Sequence, residues 1–276
     1  MTTTTTTVDR TAAVHRRQSA DTGLVRTPGE VSRLGTVLGV WAHPDDEVYL
    51  SGGLLAAAAA AGNRVVVVTA TRGERGTDDP VRWPPALLAA VRSDEIVASM
   101  AVLDGGRDLI EHRFLGAAHG VCHLDGELTG EPSGATIDEL AAIVDEVSPD
   151  TVLTFGPDGM TGHSDHRAVS TWTDRALAAT GLPTRLLHAT VTEHWARRFG
   201  AVVTRMDDAS DVFAPSRADV LAVDLALAGR ELHIKLAALR AQASQTATAE
   251  RAWGTEIYRA VVAGEWFRPA PSGGRS

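Results

Sequence analysis

The sequence predicts a doubly wound, mostly parallel α/β sheet with helices on both faces. Apolar runs of strand length alternate with longer helical stretches from Gly35 onward. The run over residues 65–68 is a continuous stretch of valine, which is typical of a parallel strand buried on both faces. The connections between these runs are short, as they are in repeated β-α units. Together these three observations favour a Rossmann-like architecture.

Each predicted element follows from a local pattern. The first strand is followed by an Ala-rich helix that Gly62 terminates. The predicted strands cover residues 36–41, 64–70, 111–115, 151–155 and 186–192. The predicted helices cover residues 47–61, 84–103, 137–147, 164–179 and 229–243. Ligands bind beyond the carboxyl ends of the strands in such a sheet, so the residues after each strand are the first candidates for function.

The chain is expected to contain one folded domain. Residues 1–32 are Thr-rich and lack apolar periodicity, which predicts a disordered N-terminal arm. Residues 33–276 contain no evident linker and are predicted to form a single domain. Residues 201–206 fit either a short strand or a loop. A chain of this length buries enough core to fold without a structural metal, so any metal is expected to serve function.

Composition excludes several classes of partner. Lys and Arg number 26 against 35 Asp and Glu, which gives a net charge of −9. This acidic balance disfavours nucleic acid and anionic membrane surfaces, so a small-molecule partner is expected. The single cysteine, Cys122, cannot form an internal disulfide, and the longest uncharged apolar run is too short to cross a bilayer. We therefore expect a cytoplasmic protein, and the sequence makes no prediction of its oligomeric state.

Four ionisable side chains follow the first predicted strand, directly before a helix: His43, Asp45, Asp46 and Glu47. One carboxylate could cap this helix, and Glu47 would favour its first turn through the helix dipole. A cap needs only one of the three acids and does not explain the histidine. The cluster therefore indicates a functional site, with helix capping as the alternative interpretation.

A second cluster follows the strand predicted at residues 151–155 and reads Gly-Pro-Asp-Gly-Met-Thr-Gly-His163-Ser-Asp-His166. Residues three apart share one face of a helix, so His163 and His166 can point into the same cleft. The positive end of the helix dipole disfavours imidazolium there. Neutral imidazoles can bind a metal or donate a hydrogen bond.

The two clusters together offer two histidines and one carboxylate to a metal ion. Three such ligands with an open fourth position are typical of a catalytic zinc site. The second carboxylate and the other histidine would remain for proton transfer and charge stabilisation. Spacing alone does not decide whether Asp45 or Asp46 is the ligand, although only one of two adjacent side chains is expected to bind.

These motifs resemble those of the LmbE-like, or PIG-L, family of zinc-dependent N-deacetylases. The matching segments are residues 42–47 with the following Gly52 and Gly53, residues 71–76 after the second strand, and residues 156–166. The resemblance spans about residues 36–245 and implies the LmbE-like deacetylase fold. It is far more specific than a single pair of histidines.

The resemblance also implies roles for individual residues. It makes His43, Asp46 and His166 the zinc ligands and Asp45 the general base. It implies that His163 protonates the leaving group or stabilises the oxyanion.

Three further residues are candidates for the site. Asp165 lies between the two histidines of the second cluster and is expected to orient one of them. Arg92 aligns with an arginine that holds substrate hydroxyls in some family members, and the alternative is a solvated helix face paired with Glu95 or Asp94. Glu74 is a candidate for the pocket wall, although its glycine-containing turn needs no function to explain it.

The implied reaction is hydrolysis of the amide of an N-acetylated small molecule, such as an N-acetyl amino sugar or a secondary-metabolite glycoside, with Zn²⁺ as the cofactor. The close alternative is an amidase that cleaves a thiol-sugar conjugate. More distant alternatives are a non-haem iron oxygenase, which uses the same ligand types on an all-β fold, and a non-catalytic small-molecule binding module. Trp195, Trp253 and Trp266 are expected to pack in the core rather than to bind a sugar.

Overall fold

A computed structural model describes residues 23–204 and 214–271. The strands in these ranges are β1 Val37–Trp41, β2 Val65–Thr69, β3 Ile110–Phe114, β4 Thr151–Phe155, β5 Arg185–Thr190, β6 Val223–Ala226 and β7 Gly264–Pro269. They form one sheet in the order β3-β2-β1-β4-β5-β7-β6. The first five strands are parallel, whereas β7 is antiparallel to both of its neighbours. The predicted α/β fold with a mostly parallel sheet is confirmed.

Helices flank this sheet. Their bounds are α1 Asp46–Ala60, α2 Pro85–Asp104, α3 Gly134–Val147, α4 Ser164–Thr180, α5 Glu193–Val203, α6 Gly229–Ala241, α7 Ala243–Trp253 and α8 Thr255–Val261. Short 3₁₀ helices in the described ranges cover Pro28–Leu34, Ala117–His119 and Ala218–Val220. Helices α1, α2 and α6 pack together, and α3 packs on α4. None of the described helices combines the length and the apolar character that crossing a membrane requires.

Every predicted element has an observed counterpart whose ends differ by at most three residues. The sequence reasoning missed helices α5, α7 and α8 and the two strands β6 and β7 at one edge of the sheet. Residues 201–203, considered as a strand or a loop, form the end of α5. Residues 205 and 206 lie outside the described residues.

The order of the strands fixes the position of the site. From β1 the chain moves outward through β2 to β3, whereas β4 returns to the other side of β1 and continues to β5. The direction of winding therefore reverses between β1 and β4. The carboxyl ends of strands at such a switch point diverge into a crevice where ligands bind. Both clusters of ionisable residues follow these two strands.

The N-terminal boundary differs from the expected one. Residues 1–22 of the predicted disordered arm lie outside the described residues. Within the remainder, the side chains of Val25 and Val31 are buried, and the backbone N–H of Val25 donates to Ala222 O at 2.9 Å. The 3₁₀ helix Pro28–Leu34 packs on α1. Packed structure therefore begins at least eight residues before the predicted domain boundary at residue 33.

Candidate metal centre

The first cluster occupies the turn between β1 and α1. Asp45 has a φ of +104°, a backbone conformation that costs a non-glycine residue about 1–3 kcal/mol and that occurs often at functional sites. Asp46 begins α1, and its Oδ2 accepts a hydrogen bond from the backbone N–H of His43 at 2.8 Å. This bond closes the turn, so that the side chains of His43, Asp45 and Asp46 border the same cavity.

The second cluster lies at the N-terminus of α4. His163 caps this helix, because its Nδ1 accepts a hydrogen bond from the backbone N–H of Asp165 at 3.1 Å. His163 is exposed, whereas Asp165 and His166 are buried. The ring centroids of His163 and His166 are 4.9 Å apart. The two histidines therefore do lie side by side at the cleft.

Three side chains from the two clusters form a group that can hold a metal: His43, Asp46 and His166. Asp46 lies between the two histidines, with Oδ2 3.5 Å from His43 Nδ1 and Oδ1 3.3 Å from His166 Nε2. Zinc ligands at about 2.0–2.2 Å in a tetrahedron are separated from one another by roughly 3.3–3.6 Å. The two distances, each to a different oxygen of Asp46, are of this size, and one ligand atom from each of the three residues lies within 4.8 Å of the others. Nitrogen and carboxylate donors also suit the metal chemically.

Contacts on the far side of His166 fix its tautomer. His166 Nδ1 lies 2.9 Å from the carbonyl oxygen of Gly159. A carbonyl only accepts, so Nδ1 bears the proton and Nε2 keeps its lone pair for a metal. The ring of Phe155 stacks on this imidazole with centroids 3.9 Å apart and an angle of 7° between the planes. Both contacts hold the ring in one orientation.

His43 is held in a comparable way by two carboxylates. Its Nε2 lies 3.2 Å from Asp125 Oδ1 and 3.2 Å from Asp165 Oδ2, which leaves Nδ1 on the side of Asp46. Burial lowers the pKa of His43, but the hydrogen bonds to Asp125, Asp165 and Asp46 outweigh burial and raise that pKa well above 6.5. Burial raises the pKa of Asp46, but His166 and His43 bring it well below 3.8. This excess of carboxylates also favours a divalent cation.

A second combination of His43, His163 and Asp165 also brings three possible ligand atoms together. The Asp165 carboxylate is fully buried and already accepts hydrogen bonds from the backbone N–H groups of Gly126 at 2.7 Å and Leu128 at 3.3 Å. His163 uses its Nδ1 as the helix cap. Both groups are therefore engaged, and the set built around Asp46 is the better metal site.

Asp165 therefore acts mainly on a histidine of the other cluster. It was expected to orient a neighbour within its own motif, but its carboxylate contacts His43 Nε2. It is held there by the loop that contains Asp125 and Gly126. The Asp165 carboxylate is thus placed against His43, whereas His163 lies on the exposed side of the site.

Asp45 lies beside a buried cation. Arg92 Nη2 is 3.5 Å from Asp45 Oδ2 and also donates to Pro44 O, while Nη1 donates to Gly73 O at 2.8 Å. Arg92 is only 3% exposed, so the solvated-face alternative is wrong. Burial raises the pKa of Asp45 to about 7, with Arg92 opposing and Asp46 reinforcing this shift. Contact of Arg92 with substrate hydroxyls stays a prediction.

Comparison with known proteins identifies the family of this chain. The model of the PIG-L family, described as GlcNAc-PI de-N-acetylase, matches residues 38–177, which include both clusters. The chain belongs to this family. The predicted membership is confirmed, and with it the prediction of a deacetylase, a hydrolase that acts on amides.

Relatives of this PIG-L family member bear specific names. The 1D-myo-inositol 2-acetamido-2-deoxy-alpha-D-glucopyranoside deacetylase of Actinosynnema mirum is 34% identical over 75% of this chain and 79% of its own length. The protein of the same name from Corynebacterium diphtheriae is 30% identical over 82% of this chain and 81% of its own. Both alignments therefore extend over most of each protein.

Solved structures show the same fold. The N,N'-diacetylchitobiose deacetylase from Pyrococcus horikoshii has a TM-score of 0.57 at 23% identity, covering 86% of this chain and 84% of its own. A triple mutant of a deacetylase of the teicoplanin biosynthetic pathway has a TM-score of 0.62 at 18% identity, covering 87% of this chain and all of its own.

Two acidic residues of this PIG-L family member differ from expectation. Glu74 does not border the main cavity; it lines a smaller neighbouring one, and its Oε1 accepts a hydrogen bond from the backbone N–H of Asp125 at 2.8 Å. Asp125 was missed altogether, although it borders the main cavity and contacts His43. It lies in a long loop after β3, where a lone Asp-Gly pair gives no functional signal.

The cavity over the metal centre has a volume of about 550 Å³. Its charged end contains the candidate ligands together with Asp45, Arg92 and His163. Trp195, Trp253 and Trp266, for which core packing was favoured over sugar binding, also line this cavity. The cavity is thus large enough for a small sugar conjugate.

Proposed function

We propose that this PIG-L family member is a zinc-dependent N-deacetylase that hydrolyses the acetamido group of an N-acetylated amino sugar conjugate. The observation that supports this most strongly is the convergence of His43, Asp46 and His166 with separations that suit one metal ion, beside a carboxylate and an imidazole that are not needed as ligands. The relatives named as deacetylases of an acetamido sugar linked to inositol support the substrate class.

The proposed zinc ligands are His43 Nδ1, a carboxylate oxygen of Asp46 and His166 Nε2. Zinc bound there would supply Lewis acidity toward water and toward the amide carbonyl. The chain itself supplies the rigid frame: Gly159 O and Phe155 hold one histidine, and the buried acids Asp125 and Asp165 hold the other. Such contacts behind the ligands commonly change metal affinity 10–100-fold, roughly.

Asp45 is proposed as the general base that accepts the proton of the attacking water. Its carboxylate borders the cavity, and the guanidinium of Arg92 lies beside it. Arg92 and the strained backbone at residue 45 hold this carboxylate apart from Asp46, which is committed to the two histidines. The two adjacent acids thus have separate environments and separate proposed roles.

His163 is proposed as the hydrogen-bond donor to the carbonyl oxygen as it becomes negative, while the proton that Asp45 takes from water passes to the leaving amine. Its Nδ1 is engaged with the backbone of α4, so the proton is on Nε2. Partial shielding of the ring from water and the neighbouring His166 and His43 lower the pKa of His163 below its usual 6.5, which keeps the ring neutral at physiological pH. A fixed donor of this kind typically changes kcat by about 10²–10³-fold.

Zinc-dependent release of acetate from the methyl glycoside of N-acetylglucosamine tests this proposal. We expect the purified protein to lose activity with a chelator and to recover it when zinc is added. Absence of acetate release by the zinc-loaded protein from N-acetylated sugars, or a requirement for oxygen and 2-oxoglutarate, would overturn it. Cleavage of a thiol-sugar conjugate in preference to the acetamide would favour the amidase alternative, and a cytoplasmic location stays a prediction.

A further inference from the structure

The cavity has two chemically different ends. All of its described charged lining residues except one lie at or next to the metal centre. The rest of the lining consists mainly of apolar side chains from α1, α5, α7, α8, β7 and adjoining loops, together with the polar residues Thr161, Thr190 and Gln245. Its apolar lining residues are Tyr49, Leu50, Met160, Val191, Trp195, Val203, Ala249, Trp253, Val261, Val262 and Trp266. We call this set the apolar wall.

Two tryptophans of the apolar wall have their indole N–H groups engaged away from the ligand space. Trp195 Nε1 donates to Val261 O at 2.9 Å, and Trp266 Nε1 donates to Asp224 Oδ1 at 2.9 Å. These bonds tie the polar edges of both indoles to the protein. A Cβ atom at Gly264 would lie 2.0 Å from the ring of Trp266. The lack of a side chain at Gly264 therefore leaves space for this ring, which lies across β7.

The apolar wall is also accessible. Tyr49, Leu50, Trp253 and Trp266 are each partly exposed, whereas core residues of the sheet such as Phe267 are completely buried. A group of partly exposed aromatic and aliphatic side chains lining a concave surface is typical of a ligand subsite.

The charges of the described lining residues disfavour an anionic group in the cavity. Among the described lining residues Arg92 is the single Lys or Arg, and its Nη atoms already donate to Pro44 O and Gly73 O. The acids Asp45, Asp46, Asp125 and Glu265 line the same cavity. A phosphate in this cavity would lie beside carboxylates and apolar side chains, with no free cation among the described lining residues to pair with it. Both the charge repulsion and the loss of solvation are unfavourable.

We propose that the apolar wall is a binding subsite for an apolar substituent of the amino sugar substrate, and that this substrate has no phosphate. The inference rests on the proposed function, because it concerns the substrate of the same metal centre. The substituent has two possible sources, namely the aglycone of a glycoside or an acyl chain longer than acetyl. Burial of a phenyl ring removes roughly 100 Å² of apolar surface from water, which corresponds to a gain in kcat/KM of about thirtyfold to seventyfold at most.

Initial rates on matched substrates test the proposal. The series comprises the methyl and phenyl glycosides of N-acetylglucosamine, the methyl glycoside of N-octanoylglucosamine, and N-acetylglucosamine 1-phosphate. We expect a tenfold or greater preference, roughly, for the phenyl or the octanoyl compound over the methyl N-acetyl compound. A preference for phenyl assigns the wall to the aglycone, and a preference for octanoyl assigns it to the acyl chain.

Two outcomes would contradict the inference in distinguishable ways. Turnover of the methyl N-acetyl compound without any preference for either apolar compound, or with a preference for the phosphate, would overturn the apolar subsite alone. No turnover of any compound by the zinc-loaded protein would overturn the proposed function, and the inference would fall with it.

A pair of variants on α7 tests whether the subsite lies on the apolar wall. Ala249→Asp introduces a carboxylate into the wall, whereas Thr248→Asp introduces the same charge at the adjacent exposed position. We expect Ala249→Asp to remove most of the preference for the apolar compound, mainly through KM, and Thr248→Asp to retain it. Leu50→Ala should reduce the preference without adding a charge, and thermal unfolding of each variant checks that it is folded. An unchanged preference in folded Ala249→Asp and Leu50→Ala proteins would overturn the assignment to this wall.

Discussion

Replacement of His188 by leucine should make the protein more resistant to acid. His188 lies on β5 and is only 2% exposed, and neither ring nitrogen has a hydrogen-bond partner among the described residues. Burial lowers its pKa from 6.5 to about 4, and the nearby Arg268 contributes to this shift. The fold therefore accommodates the neutral imidazole and disfavours the protonated one.

The sign and size of the effect follow from linkage between protonation and folding. The folded pKa lies below the unfolded value, so the contribution to stability is complete above pH 6.5 and is lost as the pH falls toward 4. At pH 5 the unfolded chain binds this proton almost fully and the folded chain hardly does, which destabilises the fold by about 2 kcal/mol. Leucine at this position removes the penalty and two buried polar atoms without partners.

Urea unfolding at pH 7.5 and pH 5.0 measures this difference. Between pH 7.5 and pH 5.0 we expect the free energy of unfolding of His188→Leu to fall by about 2 kcal/mol less than that of the parent protein. Effects of other titrating groups cancel in this comparison, and His233→Leu, at an exposed position, is the matched control. Equal losses in the parent and in His188→Leu would refute the reasoning.

Three other substitutions test separate parts of the structure. Asp45→Ala should retain metal in elemental analysis and lose roughly 10²–10⁴-fold in kcat, and a loss of metal would contradict its role as the base. His163→Ala should likewise keep the metal while kcat falls by about 10²–10³-fold, whereas loss of bound zinc would identify this residue as a ligand. Lys235→Met leaves Glu265 buried without its partner at 2.8 Å and should cost about 3–5 kcal/mol in urea unfolding. The double variant Lys235→Met with Glu265→Gln should recover part of this lost stability. A stability of Lys235→Met equal to that of the parent would show that the ion pair does not stabilise the fold.

The parallel half of the fold could be predicted because its signals are local. Strands buried on both faces give continuous apolar runs, and β2 is the clearest example. Strands β6 and β7 have no such run, since β6 has only four residues and alternates in burial, and β7 includes Glu265. Their pairing depends on a distant segment, so no local pattern indicates it.

The site was predictable to the extent that its residues follow strands at the switch point. His43 and His166 lie in dense clusters of ionisable residues, and the resemblance to the PIG-L family predicted that both are metal ligands. Asp125 escaped because it reaches the site from a loop, and the contact of Asp165 with His43 joins residues that are far apart in sequence. The sequence did not show that Trp195, Trp253 and Trp266 line the cavity, because a hydrophobic core and a ligand subsite contain the same kinds of residue.

The central claim is that one carboxylate between two histidines binds a divalent metal. Elemental analysis after zinc loading and dialysis tests it directly, in the parent, in Asp46→Ala and in Asp94→Ala, which alters an exposed acid on α2. We expect one zinc ion per chain in the parent and in Asp94→Ala, and almost none in folded Asp46→Ala. Full zinc retention by Asp46→Ala, or absence of zinc from the parent, would contradict it.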